Sequence, residues 1–233
     1  MELLWQGLVD AARLIAHADP ELIRITWLSL RVSLSATLLA AAAGIPAGVA
    51  LAVGRLPARS LLHTLVNTGM ALPPVVVGLV ISIALWRSGP LGFLNLLYTP
   101  AAMVLAQFVV AAPIAAGLTR AGIEALDPDL ASALRVDGAG RIALGRELVM
   151  AALPQTASAI AAAFGRAIAE VGASLMVGGN ILGHTRILTT AIALETSKGE
   201  FALAIALGIV LLAVAFAVNG ALTWGERMWL AHR

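Results

Sequence analysis

Arg166, Glu170 and Ser174 stand four residues apart in the stretch "FGRAIAEVGASLMVGGNI" (164–181), which is otherwise apolar or small. On a helix that spacing puts a guanidinium, a carboxylate and a hydroxyl on one face. Charge inside so apolar a segment is costly and normally faces a partner or a water-filled path. Two readings are open. Arg166 and Glu170 pair along the helix and fix its packing, or the face lines a pathway. Further on, Asn180, Thr185, Arg186, Thr189 and Thr190 gather in a Gly-rich loop and the turn after it, as contact groups or as plain solvated residues. His184 stands alone with no metal spacing, and neither HExxH nor G-x-S-x-G occurs.

A second polar locus is "LASALRVDGAGR" (130–141). In the longer run "EALDPDLASALRVDGAGR", Asp127 can cap a helix whose first residue is Pro128, where a missing N–H costs nothing. Leu126, Leu130 and Leu134 then make one apolar stripe, while Asp129, Ser132 and Arg135 point elsewhere. Gly138 suits the left-handed residue that ends a helix. A second helix, about 141–152, leads to Pro154. A helix-Gly-helix unit exceeds what a plain connection needs, and long ordered loops carry function. An amphipathic hairpin lying on a membrane surface is the alternative.

The elements that must position these residues follow from composition. The chain has 233 residues, 60% of them hydrophobic and 12% charged, and a mean hydropathy of +0.94. Soluble domains carry roughly a quarter of charged residues. About 20 apolar residues cross a bilayer as a helix, and the segments 27–53, 61–86, 100–118, 154–179 and 201–224 qualify. No alternation of the barrel-strand type appears. The expected fold is therefore all-α and integral to a membrane, with about five transmembrane helices. Residues 1–25 place Leu3, Leu4, Leu8, Ala11, Ala12 and Ile15 at helical spacing and read as an N-terminal interfacial helix. They lack the marks of a cleaved secretory signal and are read as mature sequence. With no cysteine, neither disulfides nor a Cys-type metal site arise.

An odd number of spans puts the chain ends on opposite sides. If the 130–141 locus is cytoplasmic, that side holds Arg55, Arg59, Arg120, Arg135, Arg141, Arg146, Arg227 and Arg233; the other holds Arg13, Arg24, Arg87, Arg186 and Lys198. This excess points to an N-terminus outside and a C-terminus in the cytoplasm. Arg31, inside a span, snorkels to the interface. The domain reading is an N-terminal segment 1–25, a membrane domain 26–224 with a cytoplasmic loop at about 120–153, and a tail 225–233. Ala157, Ala161, Gly165, Ala169 and Ala173 recur every four residues, and Gly44 and Gly48 flank Pro46; small residues at this spacing let helices approach closely. Pro46, Pro73, Pro74 and Pro113 all fall within spans, as static kinks or hinges.

The 130–141 locus resembles the cytoplasmic coupling loop of permease subunits in binding-protein-dependent ABC importers, with "SAL" (132–134) where that family has Glu-Ala-Ala, then three residues before Gly138, and Leu153-Pro154 downstream. Ser132 replaces the family's Glu, and the Gly-to-Pro interval is longer by about a turn. "ALPPVVVGL" (71–79), "AAPIAAGLTRAGIEALDPDL" (111–130) and the 164–181 stretch are similar to oxyanion permeases, and "TRILTTAIALETSKGEFALAIALGI" (185–209) looks most like the tungstate group.

The resemblance covers about residues 26–220 and implies a type I ABC importer permease. It implies no catalytic residue in this chain, which has no G-x-x-x-x-G-K-[ST] phosphate loop; ATP and Mg would be used by separate cytoplasmic ABC ATPase subunits. It also implies a second copy of the chain, an extracytoplasmic oxyanion-binding protein, and a bacterial or archaeal inner membrane, with no cofactor, metal or nucleic acid bound here. The coupling residues would be Asp129, Ser132, Ala133, Leu134, Arg135, Asp137 and Gly138. Arg166, Glu170, Ser174 and Asn180 would line the translocation path, Arg166 offering positive potential to a dianion and Glu170 moderating it. Tungstate is the first expected cargo, followed by molybdate, sulfate or another solute; a secondary transporter is the reading from another class.

Overall fold

A computed structural model describes residues 2–17, 19–54 and 57–231. Arg55 and Arg233 of the charge count lie outside the described residues, as do the side chains of Leu3, Leu4 and Arg227. The described chain is helical: α1 (Glu2–Ala16), α2 (Pro20–Val53), α3 (Arg59–Met70), α4 (Pro74–Leu85), α5 (Pro100–Glu124), α6 (Pro128–Val136), α7 (Arg141–Ala151), α8 (Leu153–Ile168), α9 (Gly172–Gly178), α10 (Leu188–Lys198) and α11 (Phe201–Ala231), with a 3₁₀ turn at Gly92–Leu94. Three helices, α2, α5 and α11, are long and apolar enough to cross a membrane; five spans result if the broken pairs α3 with α4 and α7 with α8 each count as one.

Several boundaries differ from the sequence expectation. The first long helix starts at Pro20, because Asp19 caps it: its Oδ1 accepts from the N–H groups of Glu21 (2.8 Å) and Leu22 (3.0 Å). The residues expected as a C-terminal tail continue α11 as far as Ala231. The fourth expected span is not one helix. It is broken between Ile168 and Gly172, and α8 alone, with 16 residues, rises about 24 Å, less than the ~30 Å of a hydrocarbon core. The helix α10 is an element that hydropathy does not flag, being 11 residues long. Pro46 and Pro113 lie inside α2 and α5, which continue through them. Pro73 and Pro74 instead cap and start α4, the positions where a missing N–H is harmless.

The helices group into two compact units. One takes Met1–Ala36, Pro73–Gln107 and Ala167–Val218. Its core holds Leu22, Ile25, Leu188, Ala191 and Leu207, and α4 packs on α9 so closely that a Cβ on Gly78 would lie 2.7 Å from Ala173 Cα. On α1, Ala11 is buried while Trp5, Leu8 and Ile15 are exposed.

The other unit takes Thr37–Leu72, Phe108–Arg166 and Asn219–Arg233. Here the Gly44/Gly48 pair seats α5 on α2: a Cβ on Gly44 would lie 2.7 Å from Ala115 Cβ, and one on Gly48 would lie 2.6 Å from Ala116 O. Gly165 of the other small-residue stripe does not pack this way, since nothing lies within 4 Å of a Cβ placed there. Gly48→Ala therefore overpacks the α2–α5 contact, at a cost of about 1–3 kcal/mol, and lowers the unfolding midpoint of the detergent-solubilised protein. Gly165→Ala leaves that midpoint unchanged or slightly raised, because only helix propensity changes.

Candidate functional site

The polar locus folds as the sequence spacing predicts. Asp127 caps α6, its Oδ1 accepting from Asp129 N–H at 2.9 Å, and Pro128 is the first helical residue. At the other end Gly138 has φ +84°. Its N–H donates to Arg135 O (3.1 Å), and Ala139 N–H donates to Leu134 O (2.9 Å), the paired bonds of a Schellman end. Open space surrounds the Cβ position of Gly138, so the demand for glycine there is conformational.

Leu126, Leu130 and Leu134 turn inward onto Ile123 of α5, Leu144 and Leu148 of α7, and Ala152 just after it. Asp129, Ser132, Ala133, Arg135, Asp137 and Gly138 are exposed. So are two large apolar residues that the sequence reading passed over: Val136 is 87% exposed and Ile142 90%. Their signal was available as branched apolar residues on either side of Gly138 in an otherwise polar locus. Leu134, expected at the coupling surface, instead joins α6 to its supports.

Those supports converge on the C-terminal end of α2, which leaves carbonyls without intrahelical partners. Arg59 Nε donates to Leu51 O (3.1 Å) and its Nη2 to Ala52 O (2.9 Å). Arg135 Nη2 donates to Val53 O (3.1 Å). Arg59 also meets Glu124 Oε1 at 3.3 Å, and Arg120 meets the other carboxylate oxygen at 3.7 Å. Two cations thus sit at the negative end of a helix dipole, and one of them belongs to α6. A cleft of about 300 Å³ beside this cap is lined by Val53, Glu124, Asp127, Ser132 and Arg135 among others. Arg59 and Glu124 were not singled out in the sequence, where nothing marks a contact between residues 65 positions apart.

The second set of expected site residues is not on one helix face. Arg166 lies in the last turn of α8, Glu170 in the break, and Ser174 in α9. The expected pairing along one continuous helix therefore has no helix to run along. Glu170 is 2% exposed and serves its own turn: its Oε1 accepts from Ala173 N–H at 2.8 Å, and its backbone O accepts from Thr189 Oγ1 at 2.9 Å. Ser174 is fully buried and accepts from Gln107 Nε2 at 3.3 Å. Asn180, at φ +50°, donates from Nδ2 to Thr190 O at 3.3 Å, while its Oδ1 and that of Gln107, Oε1, have no partner among the described residues.

Thr185, Thr189 and Thr190, expected in a loop and turn, are buried. Thr185 Oγ1 donates to Gly178 O, and Thr190 Oγ1 accepts from Ile187 N–H at 3.1 Å at the start of α10. Arg186 approaches Glu21 at 3.5 Å and Glu195 at 4.0 Å.

An all-helical fold with broken spans has a counterpart among solved structures. The chain aligns with one from the inward-facing structure of the MetNI methionine ABC transporter (CY5 native crystal form) at a TM-score of 0.71 and 18% identity, over 89% of this chain and 95% of that one. In sequence, residues 44–228 match the family described as the binding-protein-dependent transport system inner membrane component, and the chain belongs to that family. It is 39% identical over 219 residues to the tungstate uptake system permease protein TupB of Peptoclostridium acidaminophilum, covering 94% of this chain and 96% of the relative. It is 41% identical over 203 residues to a probable anion ABC transporter permease protein of Haloferax volcanii, covering 85% and 88%. The chain is thus a multi-pass inner-membrane permease.

Gly138→Ala forces an alanine into the left-handed region, at about 1–2 kcal/mol, and Asp127→Ala removes the cap of α6, at about 1 kcal/mol. Both changes speed amide hydrogen exchange across residues 128–139, whereas Gly138→Asn, which tolerates that conformation, leaves exchange nearly unchanged.

Proposed function

We propose that the chain is the translocation subunit of an ATP-driven importer for a tetrahedral oxyanion, with tungstate as the first cargo and molybdate as the second. The observation that carries the cargo is the 39% identity to a tungstate uptake permease along nearly the whole of both chains; the anion permease of the archaeal relative agrees with it. An extracytoplasmic binding protein delivers the oxyanion, and cytoplasmic ATPase subunits bind and hydrolyse ATP with Mg. Two copies of the chain form the path between them, with the N-terminus outside and the C-terminus in the cytoplasm.

The coupling surface is the exposed side of α6 and its turn: Asp129, Ser132, Ala133, Asp137 and Gly138, extended by Val136 and Ile142. Force applied there is transmitted because α6 is not a free loop. Its leucines are embedded against α5 and α7, and Arg135 ties it to the last carbonyl of α2. A shift of α6 therefore moves the ends of two spanning helices instead of being absorbed by the connection. On the path, the half-buried Arg166 offers positive potential to the dianion and Asn180 a polar contact, while Glu170 and Ser174 fix their own turns by hydrogen bonds.

Reconstitution with the ATPase and the binding protein tests this. Loaded binding protein stimulates ATP hydrolysis with tungstate more than with sulfate, and Gly138→Pro or Val136→Asp abolishes the stimulation while the complex still assembles. Arg166→Ala lowers transport several-fold with assembly intact. A complex that assembles but ignores every oxyanion withdraws the cargo, and failure to bind an ATPase withdraws the importer.

A further inference from the structure

The segment 86–99, "WRSGPLGFLNLLYT", joins the end of α4 to the start of α5. For a connection between helices it is unusually apolar on its surface. Phe93 is 75% exposed, and Trp86, Leu91, Leu94 and Tyr98 are exposed as well. Arg87 is the segment's single charged residue; it is exposed and has no ion pair among the described residues.

The segment is also held in place. Leu91 N–H donates to Ala84 O (2.9 Å) and Gly89 N–H to Trp86 O (2.8 Å), so it folds back over the C-terminal end of α4. A Cβ on Gly89 would collide with the Ile83 carbonyl, and one on Gly92 with that of Trp86. At its far end Tyr98 adopts φ +62° and its N–H donates to Val177 O at 2.8 Å. A left-handed backbone is costly for an aromatic residue and persists only where its surroundings impose it.

We propose that this segment is a membrane-interface wedge, with Phe93 and Leu94 seated in the lipid headgroup region and Arg87 placed to meet lipid phosphate. The occupant follows from continuity. Both ends of the segment are the ends of membrane-embedded helices, and its ties to α4 and Val177 keep it from reaching far into water. Trp and Tyr are enriched at that depth, where an apolar ring and a polar tip are both satisfied. Exposed aromatics with one unpaired cation and no acid match a phosphate-bearing lipid surface better than bulk water. The inference uses only the spans of the chain, not its cargo or its ATPase.

Because the chain has no cysteine, single-cysteine spin labels test it in vesicles of mixed phosphatidylethanolamine and phosphatidylglycerol. Phe93→Cys and Leu94→Cys carry the probe; Glu200→Cys serves as the water reference and Leu212→Cys, exposed near the middle of α11, as the lipid reference. The expected result is a ratio of oxygen to nickel-chelate collision at 93 and 94 several-fold above that at 200 and approaching that at 212. In the Leu94→Cys background, Phe93→Asp returns the label toward the water value. Water-like ratios at both 93 and 94 overturn the proposal. So do labels that stay water-like until a binding protein is added and are then shielded, which would assign the patch to protein docking.

Discussion

A helix that ends inside or at the edge of a membrane leaves backbone groups that lipid cannot satisfy, and the structure is organised around supplying partners for them. The end of α2 is the fullest case: three successive carbonyls, of Leu51, Ala52 and Val53, take hydrogen bonds from Arg59 and Arg135. The start of α10 is met by Ser29, whose Oγ accepts from Leu188 N–H at 2.8 Å. Glu170 serves the first turn of α9, and Thr185 the carbonyl of Gly178 at its end. At the end of α2 and the start of α10 the partner comes from another helix, so these two ends double as tertiary links.

That constraint explains why so apolar a chain keeps some polar residues in its interior. Ser29, Gln107, Glu170, Ser174, Thr189 and Thr190 are all buried, and most of them bond to backbone. A buried polar group without a partner costs more than its bond would contribute, so these side chains are retained where a helix end needs them. Close packing does the rest. Gly44, Gly48 and Gly78 bring neighbouring helices to distances at which even a methyl group would clash, and in lipid such van der Waals contact is a main source of helix association.

The α6 element shows how the two devices combine. Its polar side is set by an N-cap and a Schellman end, both local, while its apolar side and Arg135 connect it to the ends of α2 and α5. The connection is thus held by the same capping bonds that finish a spanning helix.

Local chemistry was legible from the residues themselves. Asp127-Pro128, the Leu126/Leu130/Leu134 stripe and Gly138 specify the start, buried face and end of α6, since caps, periodicity and left-handed glycines act over a few residues. The apolar runs specified an all-α membrane fold, because length and hydropathy alone decide whether a helix can span. The Asp19-Pro20 start of α2 carried the same signal as Asp127-Pro128 and was readable in principle. The break at 169–171 was not. Arg166, Glu170 and Ser174 have faultless helical spacing, and only the packing of Gly172 against Val75 and of Ala173 against Gly78, with Thr189 bonding to the Glu170 carbonyl, makes the broken backbone the better solution. The burial of α10 and the meeting of Arg59, Arg135 and Glu124 at the end of α2 belong to tertiary structure for the same reason: they join residues far apart in the chain, and periodicity carries no information about which distant helix will supply a partner.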